Sequence, residues 1–193
     1  MPEVFFVADL HFGHANILRY EPDARPFADV AAHDAELVRR WNARVGADDT
    51  VWVLGDFAWS PAAAEQALAV LQGKIRLVLG DHDARWLTPS AQRHSDRLGL
   101  DAVEEVHGAV KWRPGVLLTH VPAVPGPKYR INLHGHTHSR PVAPAGVHKP
   151  PNHGADAPAL AHLCVSVEQT GLAPLSWPEV RARLAELGVE APA

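Results

Sequence analysis

The sequence predicts an α/β fold, and the order of its apolar segments is the main reason. The first 80 residues alternate between strand-like and helix-like segments, which is typical of α/β units with at least part of the sheet parallel. The second half carries strand-like segments with few helical segments between them, so we expect antiparallel pairing there. The length of 193 residues predicts a single domain over residues 1–193.

Three strands are expected in the first half, each a short apolar or β-branched run: Val4–Ala8, Thr50–Leu54 and Ile75–Leu79. Helices are expected between them, over 34–45 and 62–71. The second helix has clear start signals, because Ser60 is a favoured N-cap and Pro61 is favoured in the first turn.

Four more strands are expected in the second half, at Val103–Trp112, Val116–Thr119, Ile131–His134 and Leu160–Val167. Ser176 and Glu179 form a Ser-x-x-Glu capping box, which begins a last helix that runs through Leu187. A proline-rich loop at Ser139–Pro158 separates the last two strands, and we expect either a lid or a disordered flap.

Composition and charge exclude several classes of protein. Hydrophobic residues make up 47% of the chain and charged residues 21%, which excludes a disordered chain. No apolar stretch approaches the ~20 residues of a membrane-spanning helix, so we expect no membrane partner. The net charge of −4 and the lack of a long basic run argue against binding to long nucleic acids. A single cysteine, Cys164, and no basic leader before the first strand predict a cytoplasmic protein.

Acidic residues and histidines follow the predicted strands. They are Asp9 and His11, then Asp56, then Asp81, His82 and Asp83, then His120, and finally His136 and His138. Ligands of α/β proteins gather beyond the carboxyl ends of strands, and residues two apart on an extended chain face the same side. By that rule, any two of His134, His136 and His138 can form the late pair. Glycines at 55, 80 and 135 allow sharp turns and close approach to a ligand.

These residue types predict a metal centre. Carboxylates and imidazoles without thiolates suit manganese, iron, nickel or zinc. The chain offers more candidate ligands than one ion needs, so we expect two ions, and one carboxylate can bridge them. Two ions about 3.5–4 Å apart favour displacement at phosphorus and lower the pKa of a bound water toward about 7. Each short motif is common in loops, and it is the ordered set that carries the prediction.

The ordered motifs Asp-x-His, Gly-Asp, Gly-x-His-Asp, His and Gly-His-x-His resemble those of the calcineurin-like metallophosphoesterases, over residues 9–138. The opening stretch from Asp9 to Asn16 is similar to the small, single-domain bacterial and phage members. The resemblance implies a four-layer α/β/β/α sandwich of two mixed sheets with helices outside. It also implies a dinuclear metal-dependent phosphoesterase, which would hydrolyse phosphodiesters or small nucleotide phosphates.

The resemblance also implies roles for individual residues. The first metal would be held by Asp9, His11 and His138, and the second by Asp81, His120 and His136, with Asp56 as the bridge. A metal-bound hydroxide would attack phosphorus, and His82, oriented by Asp83, would protonate the leaving oxygen as general acid. We expect two divalent cations, with manganese preferred and iron, zinc or nickel also compatible.

The chain departs from the family pattern at Asp81, where the family usually has asparagine. A carboxylate still offers an oxygen to the metal, but it adds a negative charge and removes an NH₂ donor to the phosphate. We therefore expect Asp81 to slow hydrolysis of phosphomonoester dianions more than hydrolysis of diester monoanions.

Other residues are candidates for substrate contact. His14 and Asn16 lie just after the first motif, and Arg130 and Arg140 flank the late histidines, where a guanidinium could hold phosphate. Trp59 lies in a context that predicts a core residue.

Two rival functions remain open from the sequence. One is a non-catalytic metal-binding scaffold of the same fold with an attenuated site, a reading that Asp81 keeps open. The other is a metal hydrolase for C–N or C–O bonds, which would usually carry a His-x-His-x-Asp-His pattern that this chain lacks. The oligomeric state does not follow from the sequence.

Overall fold

The computed structural model describes residues 1–87, 103–124, 128–140, 147–148 and 160–192. These residues form two five-stranded mixed sheets with helices, so the predicted α/β class is confirmed. The strands are β1 (Val4–Val7), β2 (Thr50–Leu54), β3 (Lys74–Val78), β4 (Val103–His107), β5 (Val110–Arg113), β6 (Val116–Leu118), β7 (Ile131–His134), β8 (Val147–His148), β9 (Leu160–Cys164) and β10 (Leu175–Ser176). The helices are α1 (Ile17–Tyr20), α2 (Val30–Asn42), α3 (Pro61–Leu68), α4 (Asp83–Leu87), α5 (Val167–Thr170) and α6 (Trp177–Glu186).

The first sheet has the order β10-β1-β2-β3-β4. Strands β1 to β4 are parallel, as the alternating pattern predicts, and β10 pairs with β1 antiparallel. Helices α2 and α3 supply the crossovers between the first three strands. Because β1, β2 and β3 run the same way, the loops that follow them meet at one edge of the sheet.

The second sheet has the order β5-β6-β7-β9-β8 and corrects the expected antiparallel pairing. Only its two outer pairs are antiparallel, whereas β6, β7 and β9 are parallel. A parallel connection needs a crossover of about a dozen residues, which is usually but not always helical. Here the chain between β6 and β7 meets that length without a helix among its described residues.

The single strand predicted for Val103–Trp112 is also wrong. The chain breaks at Gly108 and Ala109 into β4, which joins the first sheet, and β5, which joins the second. The segment therefore carries the chain from one sheet to the other. Most of the predicted loop at 139–158 lies outside the described residues, and its role as a lid stays a prediction.

The helix start signals are confirmed. Ser60 Oγ accepts a hydrogen bond from the Ala63 N–H at 3.3 Å at the start of α3. At the start of α6, Glu179 Oε2 accepts the Ser176 N–H at 2.8 Å, which is half of the capping box. Helix α2 begins earlier than the apolar spacing indicates, because Asp29 accepts from the Ala32 N–H and caps it.

Both faces of the first sheet are buried. Phe5 and Val7 lie in a cluster with Leu37 and Trp41 of α2, while Phe6 on the opposite face lies in a cluster with the central strands of the second sheet. The two sheets therefore pack face to face, with helices on the outer face of the first. The full four-layer arrangement stays a prediction. Across the described parts of the chain, every helix is too short or too polar to cross a lipid bilayer.

A backbone connection joins the sheets where the site forms. Ala8, just after β1, forms a parallel bridge with Ser166, just after β9. The Ala8 N–H donates to the Val165 carbonyl at 2.9 Å, and the Val167 N–H donates to the Ala8 carbonyl at 3.1 Å. This connection brings the carboxyl ends of the parallel strands of both sheets together.

Candidate metal centre

The predicted ligands converge into two groups at this common edge. Ligand atoms of Asp9, His11 and His138 all lie within 4.8 Å of one another, and so do those of Asp81, His120 and His136. The residues predicted to hold the first metal thus lie together in one group, and those predicted to hold the second metal lie together in the other.

Asp56 lies between the two groups, as expected of a bridging ligand. Its Oδ2 is 3.6 Å from His11 Nε2, and its Oδ1 is 3.6 Å from His120 Nε2. These separations exceed hydrogen-bond length. Two ligand atoms that each lie about 2.1 Å from one ion are themselves about 3–3.5 Å apart, so the spacing is close to that of shared coordination.

Three histidines present the same nitrogen to the cluster. Each uses Nδ1 for a partner outside it: His120 with the Leu54 carbonyl at 2.9 Å, His138 with Glu168 Oε1 at 2.8 Å, and His11 with His14 Nδ1 at 3.3 Å. Their Nε2 atoms face Asp56 or Asp9. A hydrogen bond at one ring nitrogen fixes the tautomer and leaves the other free for a metal.

Unpaired buried atoms indicate that the donor set fits a cation. Asp9 is fully buried, and its Oδ1 has no hydrogen-bond partner, nor has the Nε2 atom of His11. Asp9 and Asp56 bring two buried carboxylates within 4.8 Å of each other, and desolvation raises the pKa of Asp9. Buried negative charge of this density is costly unless a cation offsets it. Carboxylate and imidazole donors suit a pair of first-row divalent ions.

Backbone strain is concentrated in the same residues. Five candidate ligands have a φ between 51° and 69°, a left-handed conformation that costs a non-glycine residue roughly 1–2 kcal/mol: Asp9, His11, Asp56, His136 and His138. Among the other non-glycine residues that the structure describes, only Leu172 shares it. Strain of this kind persists where the surrounding structure requires it, which is common at functional sites.

The glycines predicted to permit close approach make room for the ligands themselves. A Cβ atom on Gly55 would lie 2.2 Å from His120 Nδ1, and one on Gly80 would lie 2.3 Å from Asp56 Oδ1. A Cβ atom on Gly135 would likewise lie 2.6 Å from Asp9 Oδ2. Any side chain at these positions would displace a candidate ligand.

Sequence reasoning missed the buried ion pair that supports the first group. Glu168 Oε1 accepts hydrogen bonds from His138 Nδ1 and from Arg25 Nε, both at 2.8 Å. Burial alone would lower the pKa of His138, but the Glu168 hydrogen bond and the charges of Asp9 and Glu168 raise it. Glu168 comes directly after the predicted strand end at Val167 and four residues after the observed end of β9 at Cys164, so the strand-end rule could have found it.

Arg25 ties this ion pair to the first loop. Its guanidinium donates to the Leu10 carbonyl at 3.1 Å and to the Asp9 carbonyl, and it contacts His33 Nε2 at 2.8 Å. Arg25 and His33 are both buried, although the sequence gives neither a recognisable motif. The main chain of Asp9 is thus held by a residue from the loop after α1.

His82 lies beside the bridging carboxylate, but Asp83 does not orient it. His82 Nε2 is 3.7 Å from Asp56 Oδ2, and its backbone N–H donates to Asp56 Oδ1 at 2.9 Å. Its Nδ1 is buried without a hydrogen-bond partner, so the expected contact with the Asp83 carboxylate is absent. Burial lowers the pKa of His82, although the charge of Asp56 opposes this.

Asp83 instead holds two loops together. Its carboxylate accepts the N–H groups of Asp56 at 2.8 Å, Phe57 at 3.0 Å and Gly80 at 2.9 Å. The side chain is completely buried, and this burial raises its pKa to about 6. Asp83 therefore fixes the loops after β2 and β3, and through them the position of Asp56.

The structure places the candidate substrate-contacting residues at different distances from the metal ligands. His14 is buried beside His11, and its pKa is lowered to about 4 by burial. Asn16 is exposed at the start of α1. Arg130 precedes β7, whose far end carries the late histidines, so it lies at the opposite edge of the sheet, roughly 13 Å of strand away. The expectation that Arg130 contacts phosphate is therefore wrong.

Two further expectations are settled by the geometry. In the described part of the chain, His134 belongs to neither group of candidate metal ligands, and its Nδ1 lies 2.8 Å from the Gly135 carbonyl oxygen. His136 and His138 are therefore the late pair of candidate ligands. Trp59, predicted as core, is 45% exposed beside His14 and His82. A cavity of about 360 Å³ adjoins His136 and His138, and Arg140 lines it.

Comparisons with known proteins find relatives of unstated activity. No family model matches the chain. The Gene 66 protein of Mycobacterium phage L5 is 30% identical in an alignment 190 residues long that covers 81% of this chain and 88% of that protein. The Gene 66 protein of Mycobacterium phage D29 is 32% identical over 165 residues, covering 72% and 80%. A protein of unknown function from Aquifex aeolicus has a similar fold, with a TM-score of 0.65 and 20% identity over 95% of this chain and 100% of that chain.

The role of Asp83 as a connection between loops can be tested by Asp83→Asn. The amide would turn an NH₂ group toward a backbone N–H in a buried site, so we expect a loss of about 2–3 kcal/mol in the free energy of unfolding. The measurement is urea unfolding at pH 7.5, above the pKa of about 6 for Asp83.

Asp49→Asn is the matched control. Asp49 also accepts two backbone N–H groups, from Glu3 at 2.7 Å and Gly46 at 2.8 Å, but in a solvent-exposed loop. We expect it to lose less than about 1 kcal/mol because water can replace the lost bonds. Equal losses in the two variants would contradict the role given to Asp83.

Proposed function

This chain belongs to the family of the mycobacteriophage Gene 66 proteins, and we propose that it is a dinuclear metal-dependent phosphoesterase that hydrolyses phosphodiesters. The ordered motifs resemble those of the calcineurin-like metallophosphoesterases, and the converged ligand groups support that resemblance. Manganese is the expected metal, with iron, zinc or nickel compatible with the same donors.

One observation carries this proposal. Asp56 lies 3.6 Å from His11 in the first ligand group, 3.6 Å from His120 in the second, and 3.7 Å from His82. A single buried carboxylate thus links both candidate metal sites to a candidate proton donor. Bridged sites with a proton donor beside them are suited to in-line displacement at phosphorus.

The cations and two side chains would have separate roles in the reaction. Two divalent cations, when bound, would activate a water molecule and stabilise charge on the phosphoryl oxygens. The resemblance assigns His82 the role of donating a proton to the leaving oxygen. Its side chain is 20% exposed beside Asp56, and its backbone N–H donates to the Asp56 carboxylate, which is compatible with that role. Arg140 in the adjoining cavity offers a cation to the anionic substrate.

The charge of the ligand set favours a diester. Asp9, Asp56 and Asp81 would contribute three negative charges against the four positive charges of two divalent ions, which would leave one positive charge before the activated water loses its proton. A diester is a monoanion and matches this charge, whereas a phosphomonoester dianion does not. We therefore favour phosphodiesters over monoesters as substrates.

Metal-dependent turnover is the first test. Protein stripped of metal should hydrolyse bis(p-nitrophenyl) phosphate only after manganese is added. His82→Ala should still bind manganese but lose roughly 10²–10⁴-fold in rate on an alkyl diester, and less on the nitrophenyl diester, whose leaving group needs no proton.

His107→Ala is the control, since it removes a histidine from β4 whose side chain contacts Glu105 at 2.7 Å and the Trp52 ring, and none of the candidate ligands in the described contacts. We expect it to keep its activity on both diesters. Two bound ions without turnover of any phosphate ester would contradict the proposal and favour the scaffold alternative. Equal losses for aryl and alkyl leaving groups would contradict the role of His82.

Asp81→Asn tests the charge argument. Removal of one charge from the ligand set should raise the monoester-to-diester rate ratio about tenfold, since a charge at this range is worth about 1–4 kcal/mol. The ratio is measured with p-nitrophenyl phosphate and bis(p-nitrophenyl) phosphate. Asp48→Asn, at an exposed carboxylate before β2, should leave the ratio as it is. An unchanged ratio in Asp81→Asn would refute the proposed cause of the diester preference.

A further inference from the structure

Trp59 is an exposed aromatic residue at the edge of the candidate metal centre. Its exposed fraction is 45%, whereas Trp41, Trp52 and Trp177 are each less than 10% exposed. An indole is large and apolar, so solvent exposure of this extent leaves a substantial apolar surface without a partner. Isolated exposed apolar residues are ordinary, but this one adjoins the proposed catalytic residues.

His14 supports one face of the indole. The two rings are stacked, with centroids 4.1 Å apart and planes 15° from parallel. His14 is itself buried and contacts His11, so the stack is anchored to the metal centre. Because His14 covers one face, the exposed surface of Trp59 lies on its other face and edge.

This surface of Trp59 lies close to His82, the candidate general acid. The Trp59 and His82 ring centroids are 5.0 Å apart. The guanidinium carbon of Arg85, an exposed side chain, lies over the Trp59 ring at 6.0 Å from its centroid and adds a positive charge next to this surface. A substrate whose leaving oxygen is protonated by His82 would therefore place its leaving group next to Trp59.

We propose that Trp59 stacks on the nucleobase of the leaving group, so that the substrates are nucleotide esters. A purine or pyrimidine has a flat π-face that matches the indole, while the phosphate of the same molecule would lie at the metal ligands. Stacking of this kind tolerates any base, so the site selects nucleotides as a class. The inference rests on the proposed phosphoesterase function and names its substrate class.

The test compares AMP with ribose 5-phosphate, which has the same sugar phosphate without the base. Binding of each to the manganese-loaded protein is measured by isothermal titration calorimetry at 4 °C. We expect AMP to bind at least about tenfold more tightly, as base stacking on an aromatic side chain predicts. Trp59→Ala should bring the affinity ratio close to one, and Trp59→Phe should keep most of it.

Val106→Ala is the matched control, because Val106 is a similarly exposed apolar residue, 43% exposed, on β4. It should leave the affinity ratio at the wild-type value. A wild-type ratio near one, or a ratio that Trp59→Ala does not lower, overturns the inference. If metal-dependent diester turnover is intact in that case, the inference alone fails. If neither phosphate binds, the inference also fails, and the proposed function fails with it only when no diester is hydrolysed either.

Discussion

The burial of two carboxylates side by side is the constraint on which the site depends. Asp9 is fully buried and Asp56 is 3% exposed, and their oxygens lie within 4.8 Å of each other. In the apolar interior such a pair repels strongly and is poorly solvated. Hydrogen bonds at Nδ1 turn the Nε2 atoms of the nearby imidazoles toward the carboxylates, where these nitrogens can act as electron-pair donors to a metal. Cations between these groups would offset the buried negative charge.

The fold meets this constraint through its strand directions and its loops. Parallel strands in both sheets end at one edge, and the bridge between Ala8 and Ser166 holds these ends together. The candidate ligands adopt left-handed backbone conformations there, and glycines leave them space. Support comes from further out, where Glu168 and Arg25 hold His138 and the Asp9 main chain, and Asp83 holds the loops around Asp56. Most of the buried polar groups near the site therefore serve its geometry.

The sequence predicts the parts of this site that obey local rules. A polar residue after an apolar run marks a strand end, so the candidate ligand residues could be found from order and spacing, while their individual roles came from the family resemblance. Arg25 could not be found that way, because its role depends on a loop folding back onto β1. The exposure of Trp59 and the bonds of Asp83 also depend on tertiary contacts that leave no local pattern. Arg130 was misplaced because nearness to His136 in sequence does not reveal that β7 separates them.

The number of metal ions bound per chain tests the central claim most directly. Metal-stripped protein is dialysed against manganese, freed of excess ion and analysed for metal by mass spectrometry. The shared position of Asp56 predicts two ions per wild-type chain and at most one in Asp56→Ala, with both proteins folded by circular dichroism. A folded wild-type chain that binds no manganese, zinc, iron or nickel, or binds a single ion that Asp56→Ala retains, would contradict a bridged dinuclear centre.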